Sequence, residues 1–299
     1  MTRRGRRTSE RLRIARKLAQ VPPYTFVWCI AGRPSFPYLR WFGPRFTLPC
    51  VALHPLAQQF SDVADVYDRG RPGYPPEAVA IAVREFELAG GDRIADLGAG
   101  TGKLTAALVD AGLDVVAVEP LDGMRARLSA AFPAVEALAA TAEALPFANG
   151  SLAAVFSADA FHWFDADPTA AELHRVLRPR GGVALLWHLP GWESDPPVWW
   201  QQLRDLLDSL RGGHPGFTGE QGREAFAKHG GFEPFRYESV LSTFPTDREG
   251  VLAYVQSISY VAGHPKRDRV LDEVRTIIRD VEPHDSPVRT FVWLTRKLD

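Results

Sequence analysis

Two kinds of apolar pattern alternate along the chain, short unbroken runs and helical stripes, and their order predicts an α/β fold. Ile94, Ala95 and Leu97 form a run of the kind buried on both faces of a parallel sheet. Residues 115–118 and 152–157 repeat it as second and fourth strands, 135–139 make a weaker third, and 183–188 a fifth. Residues 103–111 read as a helix stopped by Gly112, a glycine just past the helix end. Residues 172–177 read as helical, and residues 178–182 as a turn into the fifth strand. Upstream, Phe60, Val63, Ala64 and Tyr67 fall at i, i+3, i+4 and i+7, one face of an amphipathic helix. Residues 69–76 predict a rigid turn, and Pro76 with Glu77 opens another helix. Past Pro190 the pattern loosens, with helices predicted over 196–210, 220–229, 248–261 and 266–281 and strands over 235–244 and 288–294.

The first strand runs directly into three glycines at alternate positions, Gly98, Gly100 and Gly102. Glycine accepts positive φ and lacks Cβ, so the chain can turn sharply and a ligand can lie against bare backbone. The following helix would point its free N–H groups and positive dipole end at that ligand. The second strand ends in Glu119, 21 residues after Gly98, where an acid in a βαβ unit accepts hydrogen bonds from two ribose hydroxyls. A nucleoside-containing cofactor is therefore expected. The spacing is not the dinucleotide pattern G-x-G-x-x-G/A, because Lys103 occupies its third small position. No phosphate-binding G-x-x-x-x-G-K-[ST] loop and no downstream Tyr-x-x-x-Lys pair accompany it.

The segment Asp96-Leu-Gly-Ala-Gly-Thr-Gly102 resembles motif I of the class I S-adenosylmethionine-dependent methyltransferases. The resemblance implies a Rossmann-like sheet of seven strands, mostly parallel with the last antiparallel, and helices on both faces. It implies S-adenosylmethionine as cofactor, held by Asp96, Gly98, Ala99, Gly100 and Gly102, with Glu119 on the ribose and Pro120 after it. Met124 matches a methionine beside the adenine, or is a core residue of its helix. The stretch from Thr141 to Phe147 resembles the loop bordering the adenine, where Glu143 would accept the 6-amino group and Ala142 donate its N–H; Ser157 closes the fourth strand on the cofactor side. Val66-Tyr67-Asp68-Arg69-Gly70-Arg71-Pro72-Gly73-Tyr74-Pro75 is similar to the N-terminal segment of the trans-aconitate methyltransferase-like branch. There the tyrosine and arginine close over the methionine end, placing Tyr67 and Arg71 at the cofactor; an arginine fork matches a planar carboxylate. The Ala-Phe-His-Trp-Phe run resembles the same family and puts His162 forward as a base or positioning residue, with Trp163 walling the methyl site. A lone histidine between aromatics equally reads as a hydrogen-bonded structural residue. Ser257-Ile-Ser-Tyr260 matches a stretch of this branch, which would bring Ser257 and Tyr260 to the substrate side; ordinary helix packing is the other reading.

Composition narrows the picture. The 299 residues split into a basic segment 1–53, with eleven Lys and Arg against Glu10, and an acidic remainder of 24 basic and 35 acidic residues. The acidic body argues against a phosphate-binding surface there, so nucleic acid is not expected as a partner except through the basic segment. That segment, broken by prolines 22, 23, 34, 37, 44 and 49, is expected to be a disordered extension, with a targeting leader or an upstream start as alternatives. For residues 54–299 the resemblance implies one methyltransferase domain, 54–190 the cofactor-binding core and 191–299 the substrate-side helices and final strands. Cys29 and Cys50 both lie in the extension, outside any metal-ligand spacing; no metal and a cytoplasmic location are expected. This also excludes the covalent C5-methylation of pyrimidines, which needs a nucleophilic cysteine. No apolar run is long enough to cross a membrane. As partner, the resemblance implies a small-molecule methyl acceptor. Two other classes stay open, a nicotinamide-dependent oxidoreductase and a non-catalytic cofactor- or nucleic-acid-binding protein.

Overall fold

The computed structural model describes residues 64–192, 195–212 and 222–299. All belong to the compact unit Leu48–Asp299. The extension 1–53, Phe60, Val63 and the predicted helix start at 220 lie outside the described residues.

Seven strands form one sheet, β1 (Arg93–Leu97), β2 (Asp114–Val118), β3 (Glu136–Leu138), β4 (Leu152–Ala158), β5 (Leu177–Pro190), β6 (Arg236–Thr246) and β7 (His284–Arg296). Their order is β3-β2-β1-β4-β5-β7-β6. β1 to β5 pair in parallel, and β7 lies antiparallel between β5 and β6. The fold is thus the Rossmann-like, mostly parallel sheet expected. β1 and β4 are buried almost end to end, as strands covered on both faces must be, whereas β6 alternates exposed and half-buried residues as an edge strand does.

Helices α1 (Ala64–Gly70), α2 (Pro76–Glu85), α3 (Lys103–Asp110), α4 (Asp122–Ala131), α5 (Ala166–Val176), α6 (Val198–Leu210), α7 (Arg223–His229), α8 (Arg248–Gln256), α9 (Ser259–Ala262) and α10 (Arg267–Ile277) surround it. One core packs α2 and α3 against Ile94, Phe156 and Leu186; the opposite core packs α5 and α7 against Leu97, Val155 and Leu185. A third, all-helical core joins Leu203 and Leu207 of α6 to Val255, Val261 and Val274. Among the described residues no helix is long and apolar enough to cross a membrane.

Two predicted elements need correction. Residues 178–182, expected as a turn, are the first part of β5, which begins at Leu177. Pairing with β4 shifts register between Leu152 and Ala154, and Arg180 takes φ 58, so an irregular strand carries the Pro-Gly signal of a turn. The helix predicted over 248–261 is broken into α8 and α9. The Ser257 hydroxyl donates to the Tyr254 carbonyl at 2.7 Å, and Ile258 is extended at ψ 123. A serine that serves the preceding turn offers the backbone an exit from the helix.

Candidate functional site

The sheet reverses its order between β1 and β4, and ligands of such sheets gather at the strand ends beside that point. Gly98, Gly100 and Gly102 there all have positive φ, 64°, 58° and 95°. A Cβ on Gly98 would lie 2.6 Å from the Ala160 Cβ, so this glycine lets the loops after β1 and β4 touch. A Cβ on Gly100 would meet nothing within 4 Å. Its backbone faces open space, the cradle a ligand needs.

Glu119 directly follows β2 beside this loop and is buried. Its carboxylate accepts the Gly100 N–H at 2.9 Å and the Leu121 N–H at 2.8 Å. Burial pushes its carboxyl up from the ordinary value, and those two N–H groups pull the other way. Asp96, buried in β1, accepts the Thr105 hydroxyl at 2.6 Å, and burial pushes it up to about 7.

The segment before the sheet folds over the loop. Asp68 of α1 accepts the Thr101 hydroxyl, and Lys103 donates to the Asp68 carbonyl at 2.7 Å. Arg71 donates through Nε to Ser257 Oγ at 3.0 Å. Its guanidinium sits 5.5 Å from the Tyr67 ring centroid and 4.7 Å from that of Tyr254. Burial pushes the Tyr67 phenol up to about 12. Two cavities meet here, sharing Tyr67, Arg71, Asp159, His188, Trp200 and Tyr254. The one that includes His162, Trp163 and Tyr260 holds about 320 Å³, the scale of a small-molecule site.

A methyltransferase-domain family model matches residues 95–185, which run from β1 into β5. An uncharacterized methyltransferase of Mycobacterium tuberculosis is 35% identical over 225 residues, 75% of this chain and 86% of its own length. The chain belongs to the methyltransferase family. A methyltransferase-like protein of Schizosaccharomyces pombe is 31% identical over 235 residues, 75% of this chain and 88% of its own. In fold, a solved structure from Anabaena variabilis, described as a methyltransferase from an antibiotic biosynthesis pathway, aligns with a TM-score of 0.51 at 23% identity. It covers 72% of this chain and 95% of that one.

The methyltransferase brings most of the sequence-predicted residues to one end of the sheet. Asp96, Gly98, Ala99, Gly100, Gly102 and Glu119 line or support the glycine loop, with Pro120 following Glu119. Met124 and Ala142 are buried, 2% and 3% exposed. Glu143 accepts the Asp165 N–H at 2.9 Å, tying the loop before β4 to the start of α5. Ser157 is buried in β4 and donates to the Leu97 carbonyl at 3.0 Å. Ser257 spends its hydroxyl on Tyr254 and receives Arg71, so it anchors the arginine. His162 and Trp163 share a three-residue 3-10 turn, their ring centroids 4.7 Å apart.

Tyr254 and Trp200 escaped the sequence reading, as did Tyr74, Asp159 and His188. Tyr74 donates to Asp159 at 2.8 Å and stacks on His188, with centroids 4.0 Å apart and planes at 17°. Burial, with Asp159 adding to it, pushes the Tyr74 phenol well up, which keeps it a donor. Asp159 and His188 follow or end β4 and β5. Their position at carboxyl ends of central strands was the available signal.

Proposed function

We propose that the protein transfers a methyl group from S-adenosylmethionine to a small-molecule acceptor. The observation that carries this reading is the glycine loop, with the open space over Gly100 and the buried Glu119 beside it. Each Glu119 oxygen takes one backbone N–H and keeps a lone pair for one hydroxyl of a ribose diol. Among the described residues no carboxylate pairs with Arg71, and its aromatic surroundings suit the amino-acid carboxylate of the cofactor. Tyr67 would close over the same end, Met124 pack toward the adenine, and Ala142 and Glu143 border it. The likeness of Val66–Pro75 to the trans-aconitate-like branch supports this place for Tyr67 and Arg71 at the cofactor.

When bound, the cofactor supplies a methyl group already activated by the positive sulfonium. The protein's part is to hold the acceptor in line and keep water out. Tyr67, Trp200 and Tyr254, which line the cavity, would supply an aromatic wall for both tasks.

Calorimetric titration with S-adenosylmethionine, S-adenosylhomocysteine and NAD tests the reading. The two sulfur compounds should bind and NAD should not. Glu119→Ala should weaken binding by about 1–3 kcal/mol. Binding of NAD in their place would overturn it.

A further inference from the structure

The carboxyl ends of β4 and β5 hold a cluster to which the reading above gives no part in holding the cofactor. Asp159 takes φ 47, a left-handed conformation unfavourable for a residue with a Cβ. From there its carboxylate accepts the Tyr74 hydroxyl at 2.8 Å and the His188 backbone N–H at 3.3 Å. The His188 ring is held on one face by Tyr74, and its Nδ1 lies 3.9 Å from Asp159 Oδ2. Its Nε2 is buried and has no hydrogen-bond partner among the described residues. The side chain is 10% exposed and lines both cavities beside Arg71 and Tyr254. A buried ring nitrogen left unsatisfied is unfavourable unless a ligand completes it.

We propose that His188 Nε2 takes the proton of the methyl acceptor, and that the acceptor is a phenolic or enolic hydroxyl. The inference rests on the methyl-transfer reading above. The acceptor's O–H bond breaks and its proton passes to His188 Nε2. The oxygen's electron pair forms the O–CH3 bond as the S–CH3 bond of the sulfonium donor breaks and leaves its pair on sulfur. Solvent then removes the proton from His188.

Charge on the cavity wall selects this class. A carboxylate acceptor would lie against Asp159, a like charge in a partly buried site. An ammonium would compete with the Arg71 guanidinium, which already sits over the Tyr67 and Tyr254 rings. A neutral, flat hydroxyl-bearing ring avoids both and stacks on the aromatic wall. Burial also holds the His188 imidazole below its ordinary value, with Asp159 opposing and Arg71 adding to it. Such a base is neutral at pH 7 and weak, matched to an acidic hydroxyl rather than an aliphatic alcohol. His188 stands on a strand and His162 on a short turn, so the former is the more firmly held.

The test uses the full chain saturated with S-adenosylhomocysteine. Ligand-observed NMR titrations compare phenol, benzyl alcohol, benzoate and benzylamine against wild type, His188→Gln and Tyr74→Phe. Phenol should bind wild type at least tenfold more tightly than the other three. His188→Gln should lose that preference while its S-adenosylhomocysteine affinity stays within twofold. Tyr74→Phe, which keeps the stacked ring and loses the Asp159 contact, should weaken the preference severalfold. With S-adenosylmethionine, wild type should convert phenol to its methyl ether at least a hundredfold faster than His188→Gln. No preference for phenol, a preference for benzoate or benzylamine, or an unchanged preference in His188→Gln would overturn the proposal. Failure of wild type to bind S-adenosylhomocysteine would remove the cofactor reading, and this proposal with it.

Discussion

At the residue scale, Gly98 and Gly100 of the loop have different reasons for being glycine. For folding, Gly100 needs it for φ alone, since an added Cβ finds open space, whereas Gly98 needs it for φ and for contact with Ala160. Gly100→Ala should therefore cost only the left-handed strain, about 1–2 kcal/mol, yet lower S-adenosylhomocysteine affinity more than tenfold by filling the cradle. Gly98→Ala should lose more stability, and paired urea unfolding and calorimetry separate the two effects. Asp96 carries a pH signature. Its carboxyl stands at about 7 in the fold against an ordinary 3.8, because it is buried. Between those values the native state holds a proton that the unfolded chain has released, so this group's contribution to stability falls as pH rises from about 4 to 7. The ceiling of the effect is roughly 4 kcal/mol. Asp96→Asn keeps an acceptor for Thr105 and should flatten the decline in melting temperature between pH 5 and pH 7. An unchanged slope would refute the assignment.

Among elements, the decisive contact joins α1 to α8. An added Cβ on Gly70 would come within 2.2 Å of the Tyr254 backbone nitrogen, so the two helices touch main chain to main chain. Gly70→Ala should cost about 1–3 kcal/mol in urea unfolding, because backbone cannot step aside as a side chain can. The break between α8 and α9 belongs to the same joint, for Ser257 both ends the helix and receives Arg71. Ser257→Ala should lose about 1 kcal/mol of stability and weaken S-adenosylhomocysteine severalfold as Arg71 loses its anchor. Neither contact was visible in the pattern of residues, since Arg71 and Ser257 lie 186 positions apart.

For the whole molecule, we expect the cofactor site to be complete within residues 54–299. Removing residues 1–53 should leave S-adenosylhomocysteine affinity within twofold by calorimetry, and a larger loss would give the basic segment a part in binding. The parallel half of the sheet was legible because strands buried on both faces must be apolar throughout, and helices between them must show one apolar stripe. Local chemistry marked the glycine loop just as plainly, since positive φ at three alternate positions leaves few residue types to choose from. The irregular start of β5 and the broken α8–α9 pair were hidden, because a Pro-Gly turn signal and a continuous helical stripe are both local and pairing partners are not. The sequence by itself thus determined the fold class, the glycine loop and the place of Glu119 after the second strand, all set by short-range pattern and spacing. Only the tertiary structure decided that Tyr74, Asp159 and His188, spread over 115 residues, share one cavity wall. That grouping depends on which strands lie side by side and which loops their ends bring together.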